Sequence, residues 1–265
     1  MPDERQHRGP HPEDEQLFAT SQVTRLQTAT AELSWLLTRG YGGASSLKLV
    51  GDRHALDARQ RTAVGRCAAG DEASERRRGQ ELTWEALRGQ ELWIDAYNVL
   101  TSVEAALAGG VILVARDGCY RDMASLHGSF RQVVETLPAI ELVGEVLERV
   151  GAGEVTWFLD QPVSNSGRLA ALLRETGERR RWSWRAELVA APDKVLISAS
   201  VVVASADSRI LDGTRCWVNL SRRVIDERVR GAWMVDLSGR ERAESISQVA
   251  SAGGLRRGES GGAAR

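Results

Sequence analysis

The chain has 265 residues, 42% hydrophobic and 27% charged, with a formal net charge of −1. That length suits one large or two small domains, and so nearly neutral a chain has no global field drawing it to nucleic acid or a membrane. Its cysteines (Cys67, Cys119, Cys216) and histidines (His7, His11, His54, His127) are scattered, which argues against a disulfide framework, a structural zinc cluster and a Ser-His-Asp triad.

Residues 1–16, MPDERQHRGPHPEDEQ, are polar and acid-rich with no apolar stretch. No signal peptide is read there, and the leader is expected to be disordered. Residues 17–90 read as a small helical module. Leu26, Ala29, Leu33, Leu36 and Leu37 recur at helical spacing, and Gly40, Gly42 and Gly43 stop that helix. The run Leu47–Arg53 follows a turn. Further helices are expected over Asp57–Ala69 and Glu81–Arg88. Between residues 20 and 70, seven basic side chains face three acidic ones. That bias suits either phosphate contact or a solvated arginine face.

From Leu92 the pattern changes. Short β-rich runs at Leu92–Ile94, Val111–Val114, Val155–Leu159, Trp184–Val189, Val201–Ser205 and Cys216–Leu220 alternate with helical stretches at 101–108, 122–150, 166–178 and 193–199. Continuous apolar strands alternating with helices imply a parallel sheet covered on both faces, hence an α/β domain over 91–239. The Gly- and Ser-rich stretch 240–265 is expected to be disordered. The longest nearly apolar run, Val195–Ala206, is too short to span a bilayer, so the expected compartment is the cytoplasm.

Three apolar strands run into aspartates: Asp95, Asp160 and Asp207. In open α/β sheets ligands bind beyond the carboxyl ends of the strands. Carboxylates converging there repel one another unless a cation is present, and oxygen ligands suit Mg²⁺ or Mn²⁺. Each aspartate alone is equally at home as a helix N-cap or turn former. Asp193 opens a helix, and Lys194 beside it could face phosphate. The small polar stretch after Asp160, with Ser164 and Ser166, could cradle a phosphate on backbone N–H groups, and Arg121 could meet one. Asp117, Asp122 and Glu104 are further acids near these strands, each with an ordinary turn, cap or solvent role. Asp212 precedes Gly213 as a turn residue. Trp182 and Trp184 could stack bases or belong to the core.

The run Leu92–Leu100 (LWIDAYNVL) resembles the first motif of the NYN branch of the PIN-like nucleases, apolar residues followed by D-G-x-N, with Ala96 in the glycine's place. Val202–Ser208 (VVASADS) resembles the late motif of that group, T/S-x-D-S after a strand, with Arg209 where a second acid often stands. Ala191–Lys194 resembles its helix-opening acid. The resemblance implies a three-layer PIN-like domain with Asp95, Asp160, Asp193 and Asp207 as metal ligands, and with Asn98 orienting a carboxylate or water. The activity implied is metal-dependent phosphodiester hydrolysis, with RNA as the expected polymer and DNA as the alternative. A degenerate site that binds RNA or protein without cutting is the other reading, favoured by Arg209. A haloacid-dehalogenase-type phosphatase would need an aspartate where Tyr97 stands, and no GxxxxGK[ST] loop is present. Over most of residues 30–212 the chain also resembles a prokaryotic family of conserved hypothetical proteins that join a helical module to a C-terminal domain. The matching stretches are Ser34–Tyr41, Lys48–Arg61, Ile94–Leu107, Arg116–Asp122, Asp160–Gly167 and Val203–Leu211. A homodimer is among the assemblies this sequence allows.

Overall fold

A computed structural model describes residues 7–124 and 130–239. Five helices come first: α1 (Asp14–Leu17), α2 (Thr20–Thr38), α3 (Gly43–Arg53), α4 (Ala58–Cys67) and α5 (Asp71–Gln80). Gly40, at φ +78°, lies just beyond the end of α2. A capping box starts α4: the Asp57 side chain accepts from the backbone of Gln60, whose side chain returns to the Asp57 amide. The Leu47–Arg53 run lies inside α3.

The α/β part follows in the order β1 (Leu92–Asp95), α6 (Ala96–Leu107), β2 (Val111–Val114), β3 (Tyr120–Asp122), α7 (Thr136–Val150), β4 (Val155–Asp160), α8 (Ser166–Arg180) and β5 (Trp184–Val189). It continues with α9 (Pro192–Ile197), β6 (Val202–Ala204), α10 (Ser208–Gly213), β7 (Trp217–Val218), α11 (Leu220–Arg228) and β8 (Trp233–Asp236). Five strands form a parallel sheet in the order β5-β4-β1-β6-β7. Counted by appearance within the sheet, this is the 3-2-1-4-5 arrangement of doubly wound sheets, with its switch point between β1 and β6.

Alternation along each strand separates two faces. Leu92, Ile94, Trp157, Leu159, Val202 and Ala204 enter a large core with residues of α6, α7, α8 and α11. Phe158 and Val203, with Trp93 against them, pack toward Leu196 of α9 and Ile210 of α10. The parallel sheet is therefore the middle of three layers.

Val111–Val114 belongs to a different, three-stranded sheet, ordered β3-β2-β8. Ile112 reaches the main core, while Val111 and Leu113 join Leu26, Ala29, Leu33, Val64 and Cys67 in a second core. Strand periodicity thus makes β2 a shared wall, and the helical N-terminal region buries its apolar face on strands drawn from beyond residue 90.

Three expectations change. The leader is placed from residue 7 onward: Asp14 is buried and accepts from Arg59 Nε and Nη2 at 2.7 and 2.8 Å, while Arg8 Nε pairs with Glu104. Ion pairs give no hydrophobic period, so the sequence pattern missed them. Glu81–Arg88 is turns rather than helix, held to β7 where Leu82 N donates to Trp217 O at 2.8 Å. The helix expected over 122–150 covers Thr136–Val150 only. The disorder expected for 1–6 and 240–265 lies outside the described residues, as does His127.

Candidate functional site

Because the five strands are parallel, Asp95, Asp160, Asp193 and Asp207 all lie at the carboxyl edge of the sheet. Asp95 and Asp160 end β1 and β4, Asp193 stands in the first turn of α9, and Asp207 is the N-cap of α10. Asp95 pairs in register with Phe158, so Asp160 is on the same face but two residues further out. That offset is roughly 6–7 Å along the strand.

Asp95 sits at the switch point. One of its oxygens accepts from Ser205 Oγ at 2.9 Å, and the other accepts a long 3.5 Å bond from Asn98 N. Asp95 keeps some exposed surface, yet burial is the largest influence on its carboxyl group. The Ser205 hydrogen bond opposes that influence, the charges of Asp207 and Asp193 add to it, and the group is pushed up to about 7. The Asp160 carboxyl is also raised, by burial and then by the Asp193 charge. Asp160 Oδ1 is buried without a hydrogen-bond partner among the described residues. Asp207 does serve as a cap, its Oδ1 accepting from Arg209 N at 2.7 Å and Ile210 N at 3.4 Å. Arg209, in the place where an acid was expected, lies 3.6 Å from Asp193 in an exposed pair, an arrangement worth little energetically.

Asn98 holds backbone. Its Oδ1 accepts from Ala206 N at 3.0 Å, so this side chain fixes the loop before Asp207. Ser205, the first residue of the S-x-D-S stretch, is the joint of the site: it donates to Asp95 and accepts from Asp207 N at 3.0 Å. The serine two residues before the aspartate was the signal. Tyr97 was passed over. Its hydroxyl is buried beside Ser166 and Asp160 without a partner in hydrogen-bond geometry, and burial, then the Asp160 charge, push it up to about 12.

The expected phosphate contacts divide. Lys194 and Ser164 are exposed. Ser166 is buried, with Oγ donating to Gln161 O at 3.3 Å. Arg121 is no phosphate ligand: it is buried, and its two terminal nitrogens donate to Asp117 at 2.9 and 2.7 Å. Asp117 is accordingly a buried structural acid. Burial would raise its carboxyl, but Arg121 and then Arg77 outweigh that and hold it well below the usual range. Asp122 accepts from Thr101 and Ser102 hydroxyls at 3.1 and 2.9 Å. Glu104 faces the interior, bonded by Arg8 and by Thr136 Oγ1 at 2.6 Å. Asp212 accepts a two-pronged contact from Arg77 at 2.9 and 2.7 Å. Trp182 and Trp184 stack on each other, with ring centroids 4.7 Å apart.

Among the described residues, no three His, Cys, Asp or Glu side chains stand close enough to hold one ion jointly. A direct cage of four carboxylates is therefore not formed. The donors that exist fit a hydrated ion better. Mg²⁺ keeps several of its waters and is commonly held by one or two carboxylates. The unpartnered Asp160 oxygen and the Asp95 oxygen with only a long contact from Asn98 N are groups that such an ion would satisfy.

Residues 84–223 match the family described as "Domain of unknown function (DUF5616)", and residues 25–80 match "Protein of unknown function (DUF434)". The chain is 29% identical over 150 residues to "Uncharacterized protein MJ0935" of Methanocaldococcus jannaschii, covering 57% of this chain and 72% of that protein. No solved structure matches. Among the described residues no helix is long and apolar enough to cross a membrane.

Proposed function

The chain belongs to the DUF5616 family, and for this member we propose a metal-dependent phosphodiester hydrolase of PIN-like, NYN type acting on RNA. The observation carrying this reading is Asp95 at the switch point of a doubly wound sheet, with Asp160, Asp193 and Asp207 at the same carboxyl edge. Carboxylates gathered at one sheet edge repel one another, and a cation bound there would remove that cost. A bound Mg²⁺ or Mn²⁺ would supply charge neutralisation at the phosphate and a water of lowered pKa. Asp95 would be the direct ligand. Asp160, Asp193 and Asp207 would hold the ion's water shell, an assignment that respects the two-residue offset of Asp160. Ser205 fixes the Asp95 carboxylate, and Asn98 fixes the backbone that presents Asp207. Exposed Lys194 and Arg209 are cations placed to meet the polymer backbone.

A second reading, a non-catalytic RNA- or protein-binding module, is favoured by the Arg209–Asp193 pair and by the lack of three converging ligands among the described residues. One experiment separates the two. Single-stranded oligoribonucleotide and its deoxy counterpart are incubated with wild type and Asp95→Asn, with Mn²⁺, Mg²⁺ or a chelator. Cleavage of the ribo strand that needs metal and is lost in Asp95→Asn supports the hydrolase. RNA binding without cleavage, and without metal uptake by calorimetry, supports the module.

A further inference from the structure

The N-terminal helices touch the candidate site through one buried chain of charges. Arg77 lies on α5, and its side chain is only 5% exposed. Its Nε and Nη2 grip Asp212 of α10 at 2.9 and 2.7 Å, and its Nη1 donates to Asp117 at 2.8 Å and to Ser208 Oγ at 3.3 Å. Asp117, in the turn between β2 and β3, passes the contact to Arg121 of β3. Arg121 Nε then donates to Ala206 O at 2.9 Å, and its Nη2 reaches Ser208 Oγ at 3.4 Å. The residues on either side of Asp207 are thus each held by an arginine, and the far end of α10 is held by Arg77. A further bond locks α5 in place, Trp217 Nε1 donating to Arg77 O at 2.7 Å.

We propose that Arg77 is a positioning residue: through Asp117, Arg121 and Asp212 it makes the presentation of Asp207, and hence the candidate site, depend on the docking of the helical region. The inference rests on the reading above only for the claim that Asp207 serves an ion. A guanidinium with a planar fork suits this task, since it bonds two carboxylates and a hydroxyl at fixed angles where an ammonium holds fewer. If the network merely stabilised the fold, the grip would be expected anywhere along α10. Besides Asp212 at the far end of α10, it reaches Ala206 and Ser208, the residues directly before and after Asp207.

The test uses the full chain carrying Arg77→Lys or Asp212→Asn, the latter at a half-exposed acid whose loss frees the far end of α10 from both Arg77 and Arg76. Hydrogen exchange is read at the Ala206 and Asp207 amides, which donate to Asn98 and Ser205, and along the β4–β5 ladder as a control for global opening. The clamp predicts exchange at Ala206 and Asp207 faster by roughly tenfold or more with the ladder unchanged, and Mn²⁺ affinity weaker by about tenfold to a hundredfold. Unchanged exchange at these two amides, or equal acceleration throughout the ladder, overturns the proposal. Absence of Mn²⁺ binding in wild type would overturn the metal reading alone, because the exchange arm still decides the clamp.

Discussion

Ser205 Oγ donates to Asp95 Oδ2 at 2.9 Å, joining the end of β6 to the end of β1 across 110 residues of chain. Three residues beyond the end of β1 and two beyond the end of β6, the two short motifs are stitched a second time by Ala206 N donating to Asn98 Oδ1. These bonds fix one carboxylate oxygen and leave the other with a single long contact. A group meant only to close the fold would be bonded on both oxygens, as Asp117 is.

Metal-free Asp95 should make the protein less stable as pH rises. Its folded pKa of about 7 lies above the ordinary 3.8, so the folded state binds the proton more tightly. Stability is then greatest below pH 4 with respect to this group and declines through pH 7. Asp95→Asn, in chelator, should therefore raise stability at pH 8 by about 2 kcal/mol, discounted from the full linkage for partial exposure, and change little at pH 4. Denaturant titrations at the two pH values measure this. Mg²⁺ or Mn²⁺ should stabilise wild type but not the variant, and equal stabilisation of both would remove Asp95 from the ion's contacts.

Asn98→Ala removes the acceptor for Ala206 N and leaves a largely buried amide unpaired. The expected loss is about 1–3 kcal/mol in urea titration. Asn98→Asp keeps an acceptor but adds a negative charge next to Asp95, so it should recover much of the stability below pH 4 and little of it at pH 8. A variant pair with the same pH profile would contradict this assignment.

Asp117→Asn strands the buried Arg121 guanidinium and takes from Arg77 one of its two carboxylate partners, each guanidinium lying within 2.9 Å of the lost charge. Breaking such a pair on one side costs on the order of 3–5 kcal/mol. Since the folded pKa is depressed, the wild-type contribution is complete above the ordinary carboxylate value and is lost as pH falls below it. The stability gap between wild type and variant should accordingly be full at pH 7 and narrow under strong acid. A gap independent of pH would mean that packing rather than charge is lost.

What the sequence made legible was whatever has a period or a run. The apolar stretches ending at Asp95 and Asp160 are strands because both faces are buried, and that same continuity announced a parallel sheet. The alternation of strand and helix puts Asp207 on the same edge, and Asp193 joins it there through the resemblance of Ala191–Lys194 to a PIN-like helix-opening acid. Non-local pairing was not legible. Nothing near Val111 says that it pairs with Trp233 in a second sheet, because both partners look like any short β run. Arg121 read as a possible phosphate contact because its partner Asp117, four residues earlier, carries no mark of burial in the sequence. Ion-paired segments such as residues 7–16 lack any hydrophobic signal, so composition alone assigned them to disorder.

Gly144 on α7 tests a reading of the tryptophans. An added Cβ there would fall 2.0 Å from Cζ3 and 2.1 Å from Cη2 of Trp182, so the indole packs directly against the glycine. Trp182 is thus held between α7 and Trp184, with the Arg180 guanidinium 5.4 Å from its ring. A ring packed this way has a structural role between α7 and Trp184. Gly144→Ala must push the indole outward or part α7 from α8, at a cost of about 1–3 kcal/mol typical of overpacking. Its effect should be confined to stability and tryptophan emission, with RNA affinity at a fixed salt concentration unchanged. If RNA affinity falls while the folded fraction is held constant, Trp182 belongs to a nucleic-acid surface after all, and stacking of bases on this indole would have to be added to the contacts of the site.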